Sequence, residues 1–422
     1  MTVRLRRMTL LLGWLVFLAV PASGQAIPPA SGAQTPAAAP PRIVAGQDGF
    51  VIESASGDFR LQLGVLVHAD GRFVTDDPDN AVTNTFLIRR ARPSLRGRLF
   101  QRFEFFVNPD FGNGTVVLQD AYLDTRFSSA FRLRLGKTKT PFGMERLTSV
   151  SNIAFFERGY PTALVPNRDA GIQVLGDLAG ARVTYQAGVL NGVVDGGSGD
   201  LDTNDGKDIA GRLLVRPFNG QTDHLLRGLG VAIAGSTGEQ AGLVALPTFR
   251  TTLANRTFFS YVGATADGRR NRYSPQAFYY LKSFGGWAEY VHSSMPVSEG
   301  GLREEIAHDA WQIAGSYLLT GEAATDGAIR PAANFDFGNG HYGAIQIAAR
   351  YHTLSVEDDA LTLGFAAPGS STEAEAWTIG VNWFWNPFIK YVFNFEHTTF
   401  DNGVDDARPS ENALVFRTQL NF

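Results

Sequence analysis

The chain has 422 residues, 44% of them hydrophobic and 18% charged, with 37 basic residues against 41 acidic ones. That balance excludes a strongly basic, nucleic-acid-binding surface, and the absence of cysteine excludes a disulfide scaffold, a cysteine–zinc centre and a thiol nucleophile. No stretch beyond residue 24 approaches the ~20 consecutive apolar residues of a transmembrane helix, which leaves a periplasmic or secreted protein or an outer-membrane barrel.

Residues 1–24 read as a secretory signal. Arg4, Arg6 and Arg7 precede the apolar run Leu10 to Val20, too short to span a bilayer, and the small residues Ala22-Ser23-Gly24 follow. Removing this segment takes away three arginines and no acid, leaving 34 basic and 41 acidic residues and a net charge of −7. Residues 25–49 are rich in proline and alanine, as in Pro36-Ala37-Ala38-Ala39-Pro40-Pro41, and read as a flexible or polyproline-like periplasmic lead-in. Residues 50–422 are expected to form one transmembrane β-barrel domain.

From residue 58 onward, short alternating runs bounded by turn residues predict sixteen strands. They span 58–68, 85–99, 102–108, 116–126, 131–139, 170–178, 181–190, 208–216, 229–236, 271–281, 286–294, 309–319, 342–354, 373–385, 388–399 and 412–422. An even count suits an antiparallel barrel with both ends periplasmic. Odd-to-even connections are then extracellular and long: 69–84, 140–169, 191–207, 237–270, 295–308, 355–372 and 400–411. The connection 320–341 breaks this rule, and 217–228 stretches it. Trp287, Trp311, Trp377, Trp383 and Trp385 fall in or beside predicted strands, where interfacial aromatic girdles form. The last predicted strand ends on Phe422, the form of a closing barrel strand.

The chemistry concentrates in the second predicted strand. Side chains alternate faces along a strand, so Arg90, Arg92, Ser94, Arg96 and Arg98 share one face and Ala91, Pro93, Leu95, Gly97 and Leu99 the other. An arginine facing lipid at mid-membrane costs about 2–4 kcal/mol, so the arginine row is expected to face a watery lumen. Guanidiniums spaced roughly 7 Å apart hand an anion onward without its losing every charge-assisted hydrogen bond. The fifth strand repeats the pattern, with Arg132 and Arg134 opposite Leu133 and Leu135. The bland alternative is a solvated face whose cations pair with Asp120, Asp124 and Glu104. The third extracellular connection by parity, 140–169, carries Ile153, Phe155 and Phe156, too apolar for water, which predicts a loop folded inward that narrows the pore near Lys137 and Lys139.

Several stretches resemble the phosphate-selective porin O/P family: Leu87-Ile88-Arg89-Arg90-Ala91-Arg92, Gly136-Lys137-Thr138-Lys139-Thr140-Pro141-Phe142-Gly143-Met144-Glu145, Thr320-Gly321-Glu322, Gly380-Val381-Asn382-Trp383 and the ending Phe416-Arg417-Thr418-Gln419-Leu420-Asn421-Phe422. The resemblance implies a sixteen-stranded trimeric outer-membrane barrel, a constriction made by the inward third loop, and an arginine ladder leading to a lysine-assisted anion site. By motif, Arg89 and Arg90 match the paired arginines of that site, Lys137 or Lys139 its lysine, and Asp124 a carboxylate that orients the anion. Where the family often has Trp-Glu after Gly-Ala, this chain has Ile345-Gln346 after Gly343-Ala344.

The expected function is a passive, anion-preferring channel for phosphate or other small oxyanions, in contact with outer-membrane lipid and lipopolysaccharide, without cofactor, metal or nucleic acid. The alternatives are a general or carbohydrate-type porin, with Tyr122, Tyr279 and Phe103 as stacking rings, and a plugged structural or adhesive surface barrel. Asp200 to Asp208 departs from the calcium-loop pattern at its sixth and twelfth positions, Asp205 and Gly211. The seven histidines form no HExxH pair, so no hydrolase is expected.

Overall fold

Alternating side chains, closed by glycine and polar turns, give strands throughout. The computed structural model describes residues 40–46, 49–75, 82–202, 204–241, 246–401 and 408–422. The predicted signal and most of the predicted lead-in lie outside these residues. The end of that lead-in, Arg42–Gly46, is a strand, paired antiparallel with Gly49–Glu53 rather than a flexible segment.

Sixteen longer strands follow: β1 Phe59–Val74, β2 Thr85–Leu99, β3 Phe103–Asp110, β4 Val117–Arg126, β5 Arg132–Lys139, β6 Arg168–Leu178, β7 Val183–Leu190, β8 Asp208–Val215, β9 Leu229–Ala241, β10 Thr265–Leu281, β11 Phe284–Glu299, β12 Leu302–Leu318, β13 Ala344–Val356, β14 Glu373–Phe384, β15 Ile389–Asp401 and β16 Glu411–Asn421. Each pairs antiparallel with the next, and β16 pairs back onto β1, with Phe416 opposite Gly71. The ring is closed, and each of the sixteen predicted segments overlaps one of its strands. The N-terminal hairpin joins through Gly49–Glu53, which pairs with the start of β1.

One connection differs from expectation. The long loop predicted at 295–308 is a two-residue turn, Gly300-Gly301, with φ of 58° and 92°. Both glycines take the left-handed backbone a tight hairpin requires, and apolar alternation continues through Met295, Val297 and Ile306 on either side. The connection 319–343 is as long as predicted and packs Ala324 and Ile329 against Leu318, Ala344 and Phe384.

One face of the ring is apolar and exposed, the other polar and buried. Leu123, Leu135, Ile172, Val189, Ile209, Ile233, Ile313, Ile347, Ile379, Phe393 and Leu414, on eleven strands, are exposed. Asp124, Gln173, Gln312, Gln346, Asn382, Asn394 and Arg417 are buried. This inverts the pattern of a water-soluble barrel and matches a wall between lipid and a polar interior. Trp311 and Trp377 lie on the exposed face, and Trp383 and Trp385 cluster with Phe335 and Tyr391 at one end of β14 and β15. Trp287 is a correction to the girdle reading: it packs on Phe155, on the same face as Glu289.

Residues 140–167, between β5 and β6, touch the polar face of distant strands. Glu289 on β11 accepts from the backbone N–H of Met144 (2.6 Å) and Glu145 (3.3 Å). His352 accepts from Tyr160 N–H (3.2 Å), and Asn394 from Phe156 N–H (2.5 Å). Lys390 donates to the carbonyls of Ser151 and Ile153, and Asn382 to that of Ala154. Phe142, Phe155, Phe156 and Tyr160 are buried, each stabilising the segment by roughly 1.5–3 kcal/mol through apolar surface removed from water.

Candidate functional site

The site begins with a fault in alternation. In β2, Ile88 pairs with Ala69 and Arg90 with His68, so Arg89 is an extra residue, a β-bulge. A bulge re-aims side chains. Arg89 and Arg90, which strict alternation puts on opposite faces, therefore both reach one carboxylate, Glu157 of the segment 140–167. Arg89 Nε lies 2.9 Å from Oε1, and Arg90 Nη2 lies 2.9 Å from Oε2. Arg417 on β16 and Arg72 on β1 approach Oε1 at 3.5 and 3.6 Å. Gly112 lets its loop close over the bulge: a Cβ there would lie 2.5 Å from the Arg89 carbonyl oxygen.

The cluster is built by barrel closure. Arg417 is opposite Asp70 and makes a bidentate pair with it, at 2.7 Å twice. Arg417 also donates to the Phe156 carbonyl (2.6 Å), and its guanidinium lies 4.1 Å from the Phe156 ring centre. Burial by itself would raise the Glu157 carboxyl, but Arg90, Arg89 and Arg417 outweigh it and hold the group well below the usual carboxylate range.

The ladder of β2 divides into rungs with different partners. Arg92 donates to Asp110 (2.7 Å), whose other oxygen takes the Ala91 and Gly112 N–H groups. Arg96 has no carboxylate within 4 Å among the described residues; its guanidinium lies 4.6 Å from the Phe106 ring centre. Arg98 lies 3.4 Å from Glu53 of the N-terminal hairpin. On β5, Arg134 makes a bidentate pair with Asp124 (2.7 and 2.8 Å) while covering Tyr122 at 4.0 Å, and Arg132 lies 3.8 Å from Asp177. Asp124 is thus the partner of Arg134, so the alternative of paired cations holds for this rung and for Arg92, whose partner Asp110 was not among the acids foreseen.

The two lysines separate. Lys137 has the parity of Leu133 and Leu135 and pairs with Asp200 in the connection 191–207. Lys139 donates to the carbonyls of Leu147 (2.9 Å) and Thr148 (3.1 Å), so it anchors the segment 140–167. Neither lines the cavity that Arg89 and Arg90 line.

Two cavities follow the ladder. One, of about 600 Å³, is lined by Arg72, Arg89, Arg90, Arg92, Arg146, Arg158, Arg168 and Arg250 against Asp110, Glu157 and Asp195. The other, of about 520 Å³, is lined by Arg92, Arg96, Arg134, Lys139 and Arg168 against Asp120 and the chain terminus at Phe422. Arg92 and Arg168 line both. Local charge is strongly positive in a chain whose net charge is −4. Among the described residues no group of His, Asp or Glu is arranged to hold a metal ion.

Sequence reasoning missed Arg72 and Arg417 because their place depends on the closing register of β16 on β1. Glu157, Arg158 and Arg168 stood in view in the third connection, without a role. The one available signal was parity: Arg417 alternates with Phe416 and Thr418 as the ladder arginines do with their neighbours.

The model of the family described as phosphate-selective porin O and P matches residues 59–422. Porin O of Pseudomonas aeruginosa is 23% identical over 430 residues, covering 90% of this chain and 92% of that protein. Among solved structures, the anion-selective porin of Comamonas acidovorans is similar at a TM-score of 0.55, with 12% identity, over 86% of this chain and 100% of that one. The trimer form of in-vitro folded OmpT of Vibrio cholerae is similar at 0.54, with 12% identity, over 86% and 99%. A closed sixteen-stranded ring with an exposed apolar belt and a match along its whole length leave one conclusion: the chain is an outer-membrane porin, a channel rather than an enzyme, and belongs to the phosphate-selective porin O and P family.

Proposed function

We propose that this porin is a passive, anion-preferring channel for phosphate or related oxyanions, with the segment 140–167 lying inside the barrel as its constriction. The observation that carries this reading is the contrast between cavity and chain: eight arginines against three carboxylates around one cavity, in a protein of net negative charge. Pore selectivity follows the local field. Arg92 and Arg168, shared by both cavities, connect them into one cationic path. The rings of Phe106 and Tyr122 each carry a guanidinium, which leaves them less suited to stacking sugars. Assembly as a homotrimer, surrounded by lipid and lipopolysaccharide, follows the trimer form of the structurally similar OmpT.

The test is single-channel recording in chloride with added phosphate. Phosphate should block the chloride current. Arg90→Ala should raise the half-blocking concentration about tenfold, the equivalent of one charge-assisted hydrogen bond of roughly 1.5 kcal/mol. A cation-preferring current, or one indifferent to phosphate, would refute the proposal.

A further inference from the structure

An oxyanion in a cluster of guanidiniums takes two or more N–H donors through separate oxygens. Glu157 already does this. Its Oε1 meets Arg89 (2.9 Å), Arg90 (3.4 Å), Arg417 (3.5 Å) and Arg72 (3.6 Å), and its Oε2 meets Arg90 (2.9 Å). We infer that Glu157 is a tethered counter-anion: its carboxylate occupies the guanidinium cluster where a mobile oxyanion would bind, and so sets how strongly the channel holds one. This inference rests on the anion-channel reading above and assigns that site its competitor.

Three observations separate a competitor from a simple structural pin. First, the backbone around Glu157 is held without the carboxylate: Asn394 takes the Phe156 N–H (2.5 Å), Arg417 donates to the Phe156 carbonyl (2.6 Å), and Arg350 to the Glu157 carbonyl (3.1 Å). Second, the carboxylate leaves donors over: Arg72 Nε and Arg90 Nε are buried without a hydrogen-bond partner among the described residues. Third, Glu157 lines the larger cavity rather than being sealed behind it, with 13% of its side chain accessible. An arriving oxyanion therefore meets the cluster from open space and has to displace a carboxylate of lower charge than a dianion. A single chloride, with no second oxygen to bridge Arg89 and Arg90, displaces it less readily. The tether thus weakens binding at the centre and favours multivalent, multidentate anions over simple halides.

If the cluster is free of its own carboxylate only a fraction of the time, apparent affinity for an external anion falls by that fraction. Glu157→Gln removes the charge while keeping the shape. In purified channels reconstituted in planar bilayers, the half-blocking concentration of inorganic phosphate against chloride current should fall at least about tenfold, and the reversal potential in a salt gradient should move further toward anion preference. An unchanged or raised half-blocking concentration in the variant, with the parent channel anion-preferring and phosphate-blocked, overturns the tethered-anion inference and leaves the channel reading intact. Absence of block in both proteins overturns the channel reading itself. Heat-modifiable mobility checks that the variant barrel is folded. Should it fail that check, Glu157→Asp keeps the charge but draws it back by one methylene; a smaller fall in half-blocking concentration is then expected, and no fall overturns the inference.

Discussion

Three rungs of one ladder should respond differently to mutation, because their partners and their burial differ. Arg96 lines the smaller cavity, is exposed there, and meets no carboxylate within 4 Å among the described residues. Its charge is available to a passing ion. At about 4 Å, one charge acts on a mobile anion with roughly 1 kcal/mol even in a water-like dielectric. Arg96→Glu reverses the sign, so the change is about 2 kcal/mol, or roughly a thirtyfold fall in anion occupancy at that step. In planar bilayers under a salt gradient, the reversal potential should shift clearly toward cations. Arg98→Glu should leave it nearly unchanged, because Arg98 faces Glu53 of the N-terminal hairpin; its effect should be on that hairpin. Arg92→Ala should act on folding instead, since it strands Asp110 in a buried position, a loss of about 3–5 kcal/mol. Heat-modifiable mobility on gels reads that loss. Equal shifts of reversal potential in the Arg96 and Arg98 variants would refute the reasoning, since the two share a face but Arg98 is paired with Glu53 and lines neither cavity.

Glu289→Ala removes the acceptor of the Met144 and Glu145 N–H groups, at roughly 1–3 kcal/mol for each buried N–H left unsatisfied, and should give larger and noisier single-channel currents; unchanged current would mean that the segment 140–167 is held elsewhere. The depressed Glu157 carboxyl contributes stability that is complete above the ~4.3 of a free glutamate and is lost as pH falls through its lowered folded value. The difference in chloride conductance between the parent channel and Glu157→Gln should therefore hold steady from neutral pH to about 5 and change only in stronger acid; a change in that difference centred on the ordinary glutamate value would contradict the cluster geometry. Gly112→Val forces a Cβ to within 2.5 Å of the Arg89 carbonyl oxygen and should weaken phosphate block by displacing the bulge, whereas Gly114→Ala, with no heavy atom near its Cβ, should disturb only its own loop. Block by phosphate that survives Gly112→Val would show that the bulge does not position Arg89 and Arg90.

The wall was readable from the sequence because a strand's period is local. Alternation placed every strand of the ring, and it put Arg90, Arg92, Arg96 and Arg98 on the polar face without knowledge of any neighbour. What alternation cannot supply is a break in itself. Arg89 joins Arg90 only because β2 carries one more residue than β1 at that point, and a bulge leaves no mark in a run such as Ile88-Arg89-Arg90-Ala91. Partners at long range were equally hidden. Arg417 and Asp70 are 347 residues apart, and the pair follows from the register in which the last strand closes on the first. Lys137 and Lys139 show the same limit from the other side. Two residues apart and equal in charge, they end on a connecting-loop aspartate and on two backbone carbonyls. Glu157 follows from both limits together. It sits among Phe156, Arg158 and Gly159 as an ordinary loop acid, and only a bulge on one strand and the closing register of another gather four guanidiniums around it. The cationic wall is thus a property of local pattern, and its occupied centre a property of closure.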